Sequence, residues 1–341
     1  MWRDGFDLVT GGAGFIGSHL VDRLRQAGRR VRVVDNHASG GPRNLAHRQD
    51  DAGVEAVKLD VRDRAAMLEA GKGAERVFHL AALADIVPSI ERPEAYYDSN
   101  VSGTFNVLQA ARAGGAKRFI YAASSSCYGI PEIYPTPETA AIRPRYPYAL
   151  TKRLGEEMVC HWAEVYGLSA VSLRFFNVYG PRSRTSGAYG AVFGVFLAQI
   201  LAGKPVTVVG DGRQTRDFVY VGDVADALVA AAERESRGDV YNVGTGRAVS
   251  INRLVELLGA GSVENVPKRP GEPDCTRADV SRIAAELGWR AATPFERGVE
   301  IMLAHKEHWR DAPVWSKDAI AEATRAWFSC LSDDPEKHRA A

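Results

Sequence analysis

The chain predicts an α/β protein, a doubly wound parallel sheet joined to a smaller α/β lobe. Three observations carry that expectation. An apolar strand runs straight into a glycine ladder, Thr10-Gly11-Gly12-Ala13-Gly14-Phe15-Ile16-Gly17, that opens a helix. A second strand, Val31-Arg32-Val33-Val34-Asp35, ends on a carboxylate. Strand and helix patterns then alternate as far as Phe175, which implies parallel strands covered on both faces.

Strands are expected over Asp7 to Thr10, Val31 to Asp35, Val54 to Leu59, Arg76 to Leu80, Arg118 to Ala122 and Ala170 to Phe175. The first helix carries Ile16, Leu20 and Leu24 on one face and stops at Gly28. Beyond Gly180 the texture changes, because Gly187, Gly190 and Gly194 punctuate an apolar run and a short strand is expected over Val206 to Val209. The expected organisation is a cofactor domain over 1–177, a substrate-binding lobe over 178–312 and a C-terminal extension over 313–341. The chain should cross back to the first domain around 216–243. The tail from Asp333 to Ala341 is charged, rich in small residues and expected to fray.

With 341 residues, 45% hydrophobic and 25% charged, the chain is long enough to bury a sizeable core and to form two lobes. Its net charge of +1 gives no reason to expect a nucleic-acid or membrane-surface partner. Met1-Trp2-Arg3-Asp4 leads directly into the first strand, no apolar run is long enough to span a bilayer, and a cytoplasmic location is expected. Cys127, Cys160, Cys275 and Cys330 are widely separated and read as free thiols. No metal site is expected, since His305 and His308 lack nearby ligands in a metal-binding pattern.

The glycine ladder has the chemistry of a dinucleotide cradle. Gly11 allows the tight turn, Gly14 lets backbone amides approach a pyrophosphate, and Gly17 lets the helix pack closely on the strand. The phosphates would sit at the helix N-terminus bordered by Phe15 and Ile16, where unpaired N–H groups and the helix dipole favour negative charge. Asp35 stands where a carboxylate accepts hydrogen bonds from ribose hydroxyls. It would repel a 2′-phosphate, and Asn36, His37 and Ala38 supply no cation to welcome one, so NAD is expected over NADP.

Tyr148 and Lys152 follow Pro147, a favoured first helical residue, and so fall one turn apart on one helix face. An ammonium held near a phenol stabilises the phenolate, as does the positive nicotinamide ring, and both are expected to draw the tyrosine pKa down toward working pH. Upstream, the strand Phe119 to Ala123 ends in Ser124-Ser125-Ser126, placing serine hydroxyls at the carboxyl edge of the sheet, where ligands bind in this architecture.

Together these features resemble the extended short-chain dehydrogenase/reductases, in particular the nucleotide-sugar epimerase and dehydratase family with its Rossmann domain. The resemblance spans almost the whole chain. It is carried by the Thr10 to Gly17 loop, Asp35-Asn36, Asp60-Val61, His79-Leu80-Ala81-Ala82, Asn100 to Thr104, Ser124 to Gly129, Tyr148 with Lys152, Arg174 to Pro181, and Arg216 to Val219. It implies that Asp60 and Val61 contact the adenine, and that Leu80, Ala81, Ala82 and Asn100 also belong to the cofactor site. It further implies that Asn177 and Arg216 contact the nucleotide diphosphate, and Arg269 a further phosphate oxygen. Guanidinium groups suit that task because they recognise phosphate bidentately.

Relatives that dehydrate or decarboxylate carry a carboxylate near the strand end, where this chain has Ser125 and Ser126. The resemblance therefore implies C4 epimerisation of a nucleotide sugar, a UDP-hexose or UDP-N-acetylhexosamine, through a transient 4-keto sugar. Tyr148 would be the base, Ser124 would bind and relay the hydroxyl proton, and Lys152 would bind the nicotinamide ribose. Thr276, two residues before Ala278-Asp279, would sit beside the sugar's C2 substituent, and its small volume predicts tolerance of an acetamido group. The alternatives are a 4,6-dehydratase, recognised by a 4-keto-6-deoxy product, and a uronate decarboxylase, recognised by carbon dioxide release. A non-catalytic NAD-binding sensor is the third, against which an intact Tyr148 and Lys152 speak. The resemblance also implies a homodimer joined through helices near Glu94 to Ala113 and Pro147 to Tyr166, with Met158, Val159 and Trp162 as candidate apolar residues for that face.

Overall fold

A computed structural model describes residues 5–184 and 192–331. The expectations placed on Gly187, Gly190 and the tail from Asp333 lie outside those residues. The first half runs β1 (Phe6–Thr10), α1 (Phe15–Gln26), β2 (Val31–Asp35), β3 (Val54–Lys58), α2 (Arg64–Ala70) and β4 (Ala74–His79). It continues with α3 (Ile86–Glu91), α4 (Pro93–Tyr97), α5 (Gly103–Ala113), β5 (Arg118–Ser124), α6 (Pro147–Tyr166) and β6 (Ala170–Phe175). The six expected strands are present with ends within two residues of those read from the sequence. Their interiors are set by apolar runs, whereas their ends depend on which neighbour they pair with.

The second half adds β7 (Asn177–Tyr179), α7 (Val192–Leu201), β8 (Val206–Val209), β9 (Thr215–Arg216), β10 (Phe218–Tyr220), α8 (Val221–Ala232) and β11 (Arg237–Val243). It ends with β12 (Val249–Ser250), α9 (Ile251–Leu258), β13 (Val263–Val266), α10 (Ser281–Leu287), α11 (Phe295–Ala304), α12 (Lys317–Ala323) and α13 (Arg325–Leu331). Gly194 does not break the apolar run; it is buried within α7, where the absence of a side chain permits close packing.

Seven parallel strands form the main sheet in the order β11-β6-β5-β4-β1-β2-β3. Both faces are covered, as side-chain alternation along β1 illustrates: Val9 joins a core with Leu20, Leu24 and Leu228, while Leu8 joins the opposite core with Val107, Tyr121 and Val159. β11 reaches this sheet late in the chain and pairs with β6, while α8 packs on α1. A third core gathers Phe193, Phe196, Val206, Phe218, Leu254 and Trp309 around the short sheets. Order reversal at β1 and β4 opens a crevice above the carboxyl ends of the strands, the position where ligands bind in such sheets.

One expectation about α6 needs correcting. Val159 and Trp162 are buried in the chain's own core and Met158 packs beside them, so these three do not make an outward apolar face. The exposed apolar residues on these helices are Tyr97, Leu150, Val165 and Tyr166.

Candidate active site

The crevice begins where β1 passes into α1. Gly11 has φ +69°, and a Cβ there would stand 2.7 Å from the Ala81 nitrogen; a Cβ on Gly17 would stand 2.2 Å from the Gly11 carbonyl oxygen. Neither position tolerates a side chain. Gly14 caps α1 with no side-chain hydrogen bond, so the first turn presents backbone N–H groups to the crevice. The cleft, about 320 Å³, is lined by Gly11, Gly14, Phe15, Ile16, Gly17, Asp35, Asn36, Val61, Leu80, Ala81 and Ala82, and at its far end by Tyr148 and Lys152. A narrow glycine cradle at a helix N-terminus, with a carboxylate on the adjoining strand end, fits a dinucleotide.

Asp35 is buried and fixed, accepting from Ala13 N at 3.0 Å and His37 N at 2.7 Å. Asp60 accepts from Asn36 Nδ2 at 2.9 Å and pairs with Arg62, whose hydrogen bonds hold its carboxyl well below the usual range. Its charge is thus turned toward Arg62 and Asn36. Asn100, expected at the cofactor site, is engaged by its own neighbours. It lies in a π turn over 98–102, where its Oδ1 accepts from Leu83 N and its Nδ2 donates to Leu83 O and Thr151 Oγ1. That amide braces the loop after β4 against α6, behind the cleft wall.

Ser124 closes β5, and Ser125 and Ser126 begin a 3₁₀ turn over 125–128. The Ser124 hydroxyl lies 2.8 Å from that of Ser126 and accepts from the Ser126 N–H at 3.2 Å. The Tyr146 ring stacks on Tyr148 at 6.4 Å and 8°. The spacing of Tyr148 and Lys152 gives one shared helix face as expected, and in the cofactor-free protein burial dominates the electrostatics of both groups. Burial pushes the Tyr148 phenol up, and Ser124 draws it back. Burial likewise pushes Lys152 down to about 7, against the pull of Glu156, and its Nζ sits 4.2 Å from the centre of the Tyr121 ring. In the cofactor-free protein, desolvation thus disfavours the charged forms of both groups.

Beneath the pair lies a polar layer that the sequence reading did not assign. His79 is fully buried, 2.7 Å from Thr10 Oγ1 through Nδ1 and 2.9 Å from Thr104 Oγ1 through Nε2, and burial lowers it to about 3, leaving it neutral. Glu156 accepts from Arg174 at 2.7 and 2.9 Å and from Ser172 at 2.9 Å. Arg174 donates to the Tyr128 hydroxyl, which donates to Asn242 Oδ1. These bonds tie α6, β6, β11 and the serine turn into one block. Glu156 lies four residues beyond Lys152, the one local signal that could have shown it facing the same interior.

A neighbouring cavity of about 330 Å³ is lined by Asn177, Phe193, Arg216, Arg269, Glu272 and Ile320. Arg216 is buried and donates to Glu272 at 2.8 Å, and Arg269 lies 3.8 Å from the same carboxylate. Thr276 adjoins them, donating to Asn177 Oδ1 at 2.8 Å and accepting from Asp217 N at 3.1 Å. Asn177, Arg216, Arg269 and Thr276 are thus brought together from four separate segments. Glu272 was not singled out from the sequence, although it belongs to the Arg269-Pro270-Gly271-Glu272 turn.

A glycine cradle joined to a Ser-Tyr-Lys group at the far end of the cleft defines a nicotinamide-cofactor enzyme of the α/β class. Residues 8–244 match the NAD dependent epimerase/dehydratase family, and the chain belongs to that family. A UDP-glucose 4-epimerase from Mycolicibacterium smegmatis is 37% identical over 301 residues, covering 86% of this chain and 95% of the relative. A UDP-N-acetyl-α-D-glucosaminuronate decarboxylase from Bacillus cytotoxicus is 35% identical over 254 residues, covering 73% and 78%. Among solved structures, the Thermus thermophilus UDP-glucose 4-epimerase complex with NAD superposes with a TM-score of 0.80 at 35% identity, covering 88% of this chain and 98% of that one. Among the described residues no helix is long and apolar enough to cross a membrane.

Proposed function

We propose that the protein is an NAD-dependent nucleotide-sugar 4-epimerase acting on a UDP-hexose or UDP-N-acetylhexosamine. The observation that carries this reading is the far end of the cofactor cleft, which is lined by Tyr148 and Lys152 with no unengaged carboxylate among the described residues. Among the described residues, the carboxylates lining that cleft are Asp35, held by two backbone amides, and Asp85, paired with Arg184. A site with one free acid–base group suits proton removal and return at a single hydroxyl. Elimination of water would need a second acid and base.

Bound NAD would accept hydride from C4 and return it, through a 4-keto sugar. The protein's own groups do the rest. Tyr148 takes the 4-hydroxyl proton at its phenolic oxygen, Ser124 hydrogen-bonds the hydroxyl, and Lys152 holds the nicotinamide ribose. Arg216 and Arg269 take the diphosphate oxygens in exchange for Glu272, and Asn177 adds a polar contact. The nucleotide is then held at its charged end while the sugar turns. The rims of the two lobes, read as 1–177 with a return around 216–243, and 178–312, would meet across this site.

Incubating the protein with NAD and separate UDP-hexose, UDP-N-acetylhexosamine and UDP-uronate substrates, with products identified by mass spectrometry and NMR, tests the reading. C4 epimers are the expected products. Thr276, small and beside Asn177, leads to the expectation that the acetamido sugar is used at least as well as the hexose. The decarboxylase relative keeps one second reading in view, and carbon dioxide release from the uronate would favour it. Four free cysteines and soluble small-molecule reactants support a cytoplasmic location.

A further inference from the structure

The last helix reaches back into the wall of the site. Trp327 of α13 is 2% exposed, and its indole Nε1 donates to the Pro270 carbonyl at 2.7 Å. The Arg269 guanidinium lies 5.8 Å from the centre of the same indole. On another side the ring meets Tyr146 at 6.2 Å, and Tyr146 stacks on Tyr148. α13 itself packs on α3, just after the loop that Asn100 braces. One indole thus holds two consecutive residues of the Arg269–Glu272 turn while its helix rests on the cofactor side.

We propose that Trp327 is a positioning residue for the nucleotide diphosphate: it fixes the Arg269–Glu272 turn so that the guanidinium stands ready for a phosphate oxygen. This rests on the nucleotide-sugar reading and extends it to a residue outside the matched family region. A long arginine side chain loses rotamer freedom when it binds, and restraining it beforehand removes part of that cost. A tryptophan that only anchored α13 would need apolar contacts. This one also places a hydrogen bond on Pro270 and a cation–π contact on Arg269. The diphosphate keeps its charge throughout chemistry at C4, so the contribution is equal in ground and transition states; it belongs to KM and not to kcat.

The test compares full-length, NAD-loaded wild type, Trp327→Ala and Trp327→Phe by calorimetry with UDP and by steady-state kinetics. Trp327→Ala should weaken UDP binding and raise KM by about tenfold, with kcat within about threefold, while Trp327→Phe, which keeps a ring over Arg269, falls between. Wild-type UDP affinity in folded Trp327→Ala overturns the proposal, as does a loss confined to kcat. Should Trp327→Ala fail to fold, Trp327→Phe is combined with Arg269→Ala. The double variant should bind UDP no more weakly than Arg269→Ala alone, and additive losses overturn the proposal. A wild-type chain that binds no UDP overturns the nucleotide-sugar reading itself, before any variant is compared.

Discussion

The rings of Tyr146 and Tyr148 stack at 6.4 Å and 8° where α6 begins, beside the serine turn that ends β5. Tyr148 lines the cleft, and burial pushes its phenol up while Ser124 draws it back. Tyr148→Phe removes the phenolic oxygen and keeps the ring stacked on Tyr146. Turnover should fall by roughly two to four powers of ten, with UDP-sugar affinity largely kept. Steady-state rates alongside calorimetry check this, and near-normal turnover would place the base elsewhere.

Asp35 is buried where the adenosine ribose would lie, and its two backbone hydrogen bonds hold its charge in place. NAD should bind more tightly than NADP, because a 2′-phosphate would face that carboxylate. Asp35→Ala should weaken NAD by about 1 to 3 kcal/mol and narrow the gap between the two cofactors. Competitive binding by fluorescence measures both. Preference for NADP in the wild type would contradict the assignment.

Lys152 carries a pH signature. Burial pushes it down to about 7 from an ordinary value of 10.5, so between those values the unfolded chain binds a proton that the folded chain does not. Stability of the cofactor-free protein from this group therefore rises with pH across that window, and the penalty is complete below about pH 7. Lys152→Met removes the penalty. Its melting temperature should exceed that of the wild type most at or below neutrality, the difference closing toward pH 10.5. A difference that does not change with pH would show that Lys152 is not held neutral.

Tyr97, Leu150 and Val165 are 52%, 47% and 54% exposed on α4 and α6. Helices bearing such residues are suited to a second copy of the chain, as in a two-fold four-helix contact. Light scattering should give twice the 37.0 kDa chain mass, and Leu150→Glu should return it to the monomer value. A monomeric wild type at micromolar concentration would rule out this interface.

Much of the site was legible because its signals are local. The glycines between Thr10 and Gly17 and the carboxylate ending β2 declare the cleft, and Tyr148 and Lys152 declare a shared helix face by spacing alone. What escaped was set by distance along the chain. Glu156, Arg174, Tyr128 and Asn242 form one buried network from four segments, and no spacing rule joins them. The upward push of burial on Tyr148 in the cofactor-free protein was not legible, because burial is a property of the folded interior. Trp327 and Glu272 were missed for the same reason, since each matters only through a neighbour far away in sequence.

The most direct test of the central claim follows the label in UDP-glucose or UDP-N-acetylglucosamine carrying deuterium at C4. A 4-epimerase returns the C4 epimer with its mass unchanged and the deuterium still on C4, read by mass spectrometry and NMR. Deuterium appearing at C6 with loss of water, or a labelled substrate recovered without inversion, would contradict it.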